Sequence, residues 1–344
     1  MNHRERALRT FRYQPTDRVP YDLMENILWP ALEDWFRCEH GLQDKWQILD
    51  FLDTDFRWVQ GRYLGPPLIP VPEGLPEGWT YSDHVIKRPL ADAQTVADIE
   101  AYRWPDPANW DLGDFAAARS RWPDHALVFL PDWAPLFGGA CDVFGIEEAL
   151  VKMISQPQVF EAFVVNQHAF YMQLLARGLQ QAKGLVDICW LGDDYASQRG
   201  MLMNPRLWRR LIKPYLAEEV AFVHQHGMCV LFHSCGAVRP ILPDLVDIGI
   251  DGLLVFQTRA TGMDAMSIAR DFGGRMVFYG GIDVQQLLSY GTPDEVGAEV
   301  RANVAAFEHC GGYIVANSHN GMPDIRGENV VAMCKAARAC GHDL

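Results

Sequence analysis

The stretch Phe232–Gly236 carries a histidine and a cysteine whose spacing suits metal binding. It closes the apolar run 228–231, which predicts a buried strand that ends in a turn. Side chains alternate between the two faces of a strand, so His233 and Cys235 project from the same face. An imidazole beside a thiolate is a ligand pair that zinc prefers. The sequence therefore predicts a metal-binding pair at the end of one strand.

A zinc site needs three or four ligands, and a catalytic one keeps a position open. His319 follows the apolar run 313–316 and is our candidate for the third ligand, reached across the mouth of the fold. The alternative for any single histidine is a hydrogen-bonded residue of the core or rim.

The elements that must bring these residues together are short apolar runs that alternate with helical patterns, which is typical of parallel βα units. Eight such runs, followed by helices, predict a (β/α)8 TIM barrel, whose active site lies at the carboxyl ends of the strands. The predicted strands cover residues 19–25, 56–60, 126–130, 185–191, 228–235, 252–257, 276–279 and 313–316.

Length alone does not decide the number of domains, since barrels of this length with insertions are common. With eight predicted strands, we interpret residues 1–344 as a single barrel domain. The region 61–124 is rich in proline, glycine and tryptophan and too irregular for one crossover. It predicts an insertion over the barrel mouth that forms part of the substrate wall.

Several carboxylates and one amide end predicted strands at the same mouth. Asp193 and Asp194 follow Gly192 and are candidate catalytic residues that could orient substrate, hold a proton or support a ligand imidazole. Their alternative role is helix capping or turn formation. Glu25 is a further candidate catalytic carboxylate, and Gln257 is a candidate substrate contact, with a fourth metal ligand as the other role considered for both.

Aromatic residues near the predicted mouth could pack against a flat or apolar substrate, although core packing is their alternative role. The candidates are Trp58, Trp79, Trp133 and Tyr195.

The composition excludes several partners. The formal net charge is -14, without a stripe of lysine and arginine, which disfavours nucleic acid. No window is apolar enough to span a membrane, and residues 1–6 lead into no apolar signal segment, so we expect the protein to remain in the cytoplasm. The eight cysteines have no regular close spacing and are interpreted as reduced thiols.

Motifs over nearly the whole chain resemble those of the uroporphyrinogen decarboxylase superfamily. The chain is most similar to the branch that contains zinc-dependent, corrinoid-linked methyltransferases. The residues that carry the resemblance are 4–8, 15–20, Gly192-Asp193-Asp194, His233-Ser234-Cys235-Gly236, Gly280-Gly281-Ile282-Asp283, Ser318-His319-Asn320 and Glu328-Asn329.

The resemblance implies a zinc site, because that branch binds zinc through an HxC pair and a later cysteine. His233 and Cys235 match the pair, whereas His319 stands where the branch usually has cysteine. An imidazole in place of a thiolate would leave the zinc more positive and favour activation of a methoxy oxygen over activation of a thiol. The implied function is methyl transfer between a small methoxylated substrate and a corrinoid cofactor, free or on a partner protein, with O-demethylation as the favoured direction.

Two alternatives remain open at this point. Decarboxylases of the superfamily carry an arginine-rich motif after the first strand, but this chain has Leu23-Met24-Glu25-Asn26 there. Glu25 would repel a polycarboxylate that arginine would attract, so decarboxylation is ranked second. The other alternative is a non-catalytic carrier of a metal or ligand.

Overall fold

The computed structural model describes residues 1–65, 88–133, 135–320 and 323–341. The strands in this part of the chain are β1 Phe56–Gln60, β2 Arg62–Tyr63, β3 Trp110–Asp111, β4 Ala126–Leu130, β5 Ile188–Gly192, β6 Ala196–Ser197, β7 Gly200–Met201, β8 Cys229–His233, β9 Gly252–Phe256, β10 Val277–Ile282 and β11 Tyr313–Asn317. Seven of them form one parallel sheet in the order β1-β4-β5-β8-β9-β10-β11. The pairs β2-β3 and β6-β7 form two antiparallel ribbons.

Helices connect the strands of the parallel sheet. They are α1 His3–Phe11, α2 Pro30–His40, α3 Lys45–Leu52, α4 Val96–Glu100, α5 Phe115–Arg121, α6 Leu136–Phe144, α7 Ile146–Ser155, α8 Pro157–Ala182, α9 Pro205–Leu211, α10 Lys213–Gln225, α11 Leu242–Asp247, α12 Ala265–Phe272, α13 Leu287–Tyr290, α14 Pro293–Phe307 and α15 Gly327–Ala339. Single 3-10 turns lie at Met24–Asn26, Pro107–Asn109 and Arg239–Ile241.

Two apolar clusters stabilise this arrangement. The inner cluster takes side chains from every strand of the parallel sheet, for example Phe56 and Trp58 of β1 and Ile188 and Trp190 of β5, and α1 adds Phe11. The larger cluster joins the other face of the sheet to the helices. A curled parallel sheet with apolar side chains on both faces and helices outside is a mixed α/β, TIM-like architecture, as the strand pattern predicted.

The first predicted strand, residues 19–25, is wrong as a strand. Tyr21 makes only an isolated parallel bridge with Val315 of β11. Pro20 has no N–H to donate to a ladder, and the chain then turns at Met24–Asn26, where Glu25 and Asn26 have positive φ values of 56° and 50°.

The segment 20–22 nevertheless joins the two edges of the sheet. On one side Asp22 N–H donates to Val315 O and Val315 N–H donates to Pro20 O, both at 3.0 Å. On the other side Asp55, which precedes β1, donates its N–H to Tyr21 O at 3.0 Å. The backbone of 20–22 therefore lies between β11 and β1.

The buried carboxylate of Asp55 fixes this junction. It accepts hydrogen bonds from Tyr21 N–H at 2.9 Å, Arg6 Nη1 at 2.6 Å and Arg18 Nη1 at 2.7 Å, and it lies 2.9 Å from His3 Nδ1. Burial alone would raise the pKa of Asp55, but these partners outweigh burial and lower it. One carboxylate thus ties α1, the segment 18–21 and the start of β1 together.

Helix starts follow the sequence signals. Asn204 caps α9 through a hydrogen bond from Arg206 N–H, and Thr292 with Glu295 forms the capping box of α14. The helical segment between Asn204 and Gly227 is divided into α9 and α10. The break falls at Ile212, and Pro214 occupies the first turn of α10, where a proline is tolerated.

The predicted insertion, residues 61–124, falls partly outside the described residues. The aromatic candidate Trp79 lies wholly outside them. Its described parts hold the β2-β3 ribbon, α4 and α5. Its placement over the mouth stays a prediction. No described helix is both long enough and apolar enough to cross a membrane.

We expect the Asp55→Asn substitution to lower the free energy of unfolding by about 3 to 5 kcal/mol, because it removes the charge that neutralises two buried arginines. Denaturant unfolding followed by circular dichroism measures this loss. The control is Asp34→Asn, since the Asp34 side chain is 61% exposed in its pair with Arg37 and is worth at most about 1 kcal/mol.

The difference in the free energy of unfolding between wild type and Asp55→Asn should depend on pH. Because the pKa of Asp55 is lowered in the folded state, its contribution is complete above the ordinary carboxyl pKa of about 4 and is lost as the pH falls through the lower folded value. The difference between wild type and Asp55→Asn should therefore shrink in acid. A difference that grew as the pH fell would contradict this assignment.

Candidate functional site

Pairing between β5 and β8 brings the two candidate motifs together. Gly192 and His233 are register partners at the carboxyl ends of the two strands. The next residue, Asp193, donates its N–H to His233 O at 3.0 Å. One residue further on, Cys235 donates its N–H to Asp194 Oδ1 at 2.8 Å. The ladder itself thus places Asp194 beside His233 and Cys235.

These three side chains form a compact cluster of potential metal ligands. One ligand atom each from Asp194, His233 and Cys235 lies within 4.8 Å of the other two. His233 Nε2 is 3.5 Å from Cys235 Sγ and 3.7 Å from Asp194 Oδ1. A nitrogen, a sulfur and an oxygen at this spacing are a donor set that zinc accepts. The predicted HxC pair is therefore part of a cluster that could hold a metal.

Glu25 contacts the opposite side of the His233 ring. Glu25 Oε1 lies 3.2 Å from His233 Nδ1, and both side chains are buried. A carboxylate that accepts from Nδ1–H leaves Nε2 free to bind, and such partners orient metal-binding histidines. Glu25 is therefore placed to position His233, on the side away from Cys235.

The backbone around Glu25 is held in place by its neighbours. Met24 N–H donates to Asn317 Oδ1 at 3.0 Å, and Asn26 Nδ2 donates to Asp22 Oδ1 at 3.1 Å. The left-handed conformation of Glu25 and Asn26 costs free energy, and such residues persist where the surroundings fix them. The turn is thus built to present one carboxylate to His233.

Gly236 completes the motif because no side chain fits there. Its φ is +83°, and a Cβ would lie 2.5 Å from Ser197 O. The carbonyl of Ser197 in turn accepts a hydrogen bond from Ala237 N–H at 2.9 Å. The β6-β7 ribbon therefore packs directly on the loop that carries Cys235.

Electrostatics in the cluster couple the imidazole to its neighbours. Burial alone would lower the pKa of His233, but the contacts with Cys235 and Glu25 outweigh burial and raise it. Burial raises the pKa of the Cys235 thiol, and His233 partly offsets that effect.

The adjacent carboxylates Asp193 and Asp194 lie in different surroundings. Asp193 is buried and accepts hydrogen bonds from Phe137 N–H at 2.7 Å and Gly138 N–H at 2.9 Å, in the first turn of α6. Burial raises the pKa of Asp193 to about 7. Asp193 thus caps a helix, the alternative that the sequence left open, whereas Asp194 faces the cluster. A catalytic role for either carboxylate stays a prediction.

His319 lies near the cluster without joining its closest group. Burial and the charge of His233 lower the pKa of His319. Its Nδ1 is buried without a hydrogen-bond partner among the described residues. The third potential ligand of the compact group is Asp194 and not His319. A ligand role for His319 therefore stays a prediction.

Gln257 connects the loops around the cluster. Its Oε1 accepts from Gly236 N–H at 2.8 Å and from Gln198 Nε2 at 2.5 Å, while its Nε2 donates to Ser318 O at 3.2 Å. These bonds use the amide to fix backbone on both sides. Contact with a substrate stays a prediction.

The three aromatic candidates that the structure describes lie in different environments. Trp133 is 41% exposed and its ring centroid is 5.4 Å from that of His233. Trp58 is buried inside the sheet, where its Nε1 donates to Asp22 Oδ2 at 3.0 Å. Tyr195 is fully buried and packs against Trp208 and Phe232 in the layer between sheet and helices.

Sequence reasoning missed two residues that support the site. Trp190 packs against His233 with ring centroids 5.7 Å apart, and Asn317 anchors the Glu25 turn. Strand alternation could have indicated Trp190, because it shares a strand face with Gly192 at the strand end. Asn317 carried no signal beyond its place at the end of a strand.

The fold and site define an α/β, TIM-like protein with a cluster of potential metal ligands at the carboxyl ends of its strands. Residues 136–340 match the family model of uroporphyrinogen decarboxylase (URO-D), which is more than half of the chain. The chain therefore belongs to the URO-D family.

A solved structure shows the same fold over the whole length. It is a methyltransferase from Methanosarcina mazei, with a TM-score of 0.68 and 16% sequence identity, and the match covers 98% of this chain and 99% of that one. No curated protein matches the sequence.

Below the ordinary carboxyl pKa of about 4, we expect Asp193→Ala to lower the free energy of unfolding by about 1 to 2 kcal/mol, because two amide donors of α6 lose their acceptor. Because the folded pKa of Asp193 is raised, this loss should shrink as the pH rises toward 7. Asp194→Ala is the matched comparison, since its side chain is 42% exposed and accepts one backbone hydrogen bond, from Cys235, instead of two. Chemical denaturation of both variants without added metal makes the comparison. A larger loss for Asp194→Ala would contradict the division of roles.

Proposed function

We propose that this protein is a zinc-dependent methyltransferase that moves a methyl group between a small methoxylated substrate and a corrinoid, free or on a partner protein. The observation that carries the proposal is the compact Asp194, His233 and Cys235 cluster at the strand ends. Family membership and the fold shared with a protein named a methyltransferase are in keeping with it.

The residues present fit a zinc ion. His233 Nε2, Cys235 Sγ and a carboxylate oxygen of Asp194 would hold it, and His319 is the candidate for a further ligand. When bound there, zinc supplies a Lewis acid that polarises the bond between the substrate heteroatom and its methyl group. Asp194 and His319 are harder donors than a second thiolate, which favours an ether oxygen over a thiol.

The protein's own groups prepare this chemistry. Glu25 keeps the His233 ring oriented, so that Nε2 faces Cys235 and Asp194. Transfer breaks the bond between the ether oxygen and the methyl carbon and leaves its electron pair on oxygen. With a reduced corrinoid as the methyl acceptor, the electron pair for the new bond to carbon would come from that acceptor, and the demethylated oxygen would take up a proton. Asp194 is partly exposed, and we assign its second carboxylate oxygen, the one that would not hold the metal, to exchange that proton.

The proposal includes a closed (β/α)8 barrel, in which the segment 20–22 takes the place of the first predicted strand and residues 61–124 contribute to the wall of the mouth. The hydrogen bonds of that segment to both edges of the sheet support the closed arrangement. A corrinoid has to approach at the mouth, because the cluster lies at the carboxyl ends of β5 and β8.

We expect the purified protein to hold about one zinc per chain and Cys235→Ala to lose it, because the thiolate is the strongest donor of the cluster. Elemental analysis measures the metal content. The matched control is Cys38→Ala, an exposed cysteine on α2 that should leave the zinc unchanged.

The zinc-loaded wild type should transfer methyl groups from methoxylated compounds to cob(I)alamin, which is followed by its absorption spectrum. Carbon dioxide release from a polycarboxylate would favour the decarboxylase alternative instead. Bound zinc without turnover of any methyl donor would favour the carrier, and an active protein without metal would refute the proposal.

We expect Glu25→Gln to weaken zinc binding roughly 10- to 100-fold, because the ring of His233 loses its anionic partner. Competition with a chelator measures the affinity, and the spectrum of the Co²⁺-substituted protein reports whether the donor set is retained. Glu33→Gln, on α2, is the control. An unchanged affinity in Glu25→Gln would show that the carboxylate does not act through His233.

A further inference from the structure

The indole of Trp133 is the exposed part of an aromatic group beside the candidate metal site. Its ring lies 5.4 Å from the His233 ring in an edge-to-face arrangement and 5.8 Å from the ring of Trp190. Trp190 is 2% exposed, whereas Trp133 is 41% exposed. An aromatic surface is therefore available to a ligand directly next to one of the proposed zinc ligands.

This surface is held in place before any ligand binds. Asp132 accepts hydrogen bonds from Trp133 N–H at 2.7 Å and from Trp110 Nε1, which fixes the loop after β4. The Trp190 ring packs at a tilt against the Trp133 ring. Gly192 makes room for the Trp190 ring, since a Cβ at Gly192 would lie 2.5 Å from it. A rigid aromatic surface loses little conformational entropy when it binds a flat group.

One polar atom of the aromatic group also lacks a partner. Trp190 Nε1 is buried and makes no hydrogen bond within the described part of the chain. A buried donor without an acceptor is uncommon and needs an explanation. This unpaired donor belongs to the buried ring that contacts Trp133.

The charges near the cluster select against anionic ligands. Asp194 and Glu25 both face His233. Arg259, beyond the end of β9, is paired with Asp283 at 3.3 Å, so its charge is already balanced. An anion would meet two carboxylates here, whereas a neutral ring would not be repelled.

We propose that Trp133 binds the ring of a neutral aromatic methyl ether and sets the substrate class of the site. This inference rests on the proposed function, because the ether oxygen must reach the proposed zinc site while the ring lies on Trp133. A quaternary ammonium ion would also suit tryptophan and carboxylates, but its nitrogen has no lone pair to offer a metal. The aryl ether satisfies both the aromatic surface and the metal site.

Anisole and methoxycyclohexane are the probes, because both present a methoxy group on a six-membered ring and only anisole is aromatic. Calorimetric titration of the zinc-loaded protein should show that anisole binds roughly three- to tenfold more tightly, the range expected for one aromatic contact. Trp133→Leu should abolish that preference and keep one zinc per chain, whereas Trp133→Phe should retain most of it.

Phe51→Leu is the control, because Phe51 is 44% exposed on α3, which precedes β1 and so lies at the other end of the sheet. This variant should keep the preference for anisole. Equal affinities in the wild type, a preference unaffected by Trp133→Leu, tighter binding of tetramethylammonium than of anisole, or binding of neither ether would each overturn the inference.

The readouts separate this inference from the proposed function. Loss of zinc or of methyl transfer with every methoxy donor counts against the proposed function. Retained zinc and methyl transfer without a preference for the aromatic ring count against the role of Trp133 alone.

Discussion

The geometry of this protein depends on the hydrogen bonds and ion pairs of the buried Asp55 carboxylate. It lies at the start of β1 and receives Arg6 from the first helix, Arg18 from the following loop and the backbone of Tyr21. A charge buried this deeply is tolerated only when it is paired and hydrogen-bonded, which Asp55 is. Its bonds hold the segment 20–22 between the first and last strands of the sheet. Without this junction, the turn that follows would have no fixed position relative to the other strands.

The position of the metal-ligand cluster depends on that junction through a chain of contacts. Asp22 and Asn317 fix the turn at Glu25, and Glu25 fixes the ring of His233. The turn is unfavourable for the backbone, so the chain uses stability gained elsewhere to present a single carboxylate. The β5-β8 ladder supplies the other half of the site through an independent route. The cluster is thus assembled where two separately stabilised parts of the fold meet.

Much of this arrangement could be predicted from the sequence, because strands are recognised from local patterns of apolar residues. The HxC spacing and the alternation of strands and helices are both local patterns, and the structure places His233 and Cys235 at the end of a strand in such an alternation. The strand predicted at 19–25 is wrong because its apolar pattern resembles a strand although Pro20 cannot join a ladder and Glu25 leads into a turn. The separate roles of Asp193 and Asp194 could not be read from adjacent identical residues. Their surroundings depend on where the first turn of α6 lies relative to the end of β5, which is a relation between residues far apart in sequence.

The neighbouring carboxylates at the end of β5 have an evolutionary consequence. Asp193 and Asp194 point to different surroundings because successive residues of an extended chain alternate direction. Deleting one residue there would move the wrong carboxylate toward His233 and leave the amides of α6 without an acceptor. Homologues should therefore diversify at this strand end by exchanging residue types at constant length, while insertions and deletions accumulate in other loops.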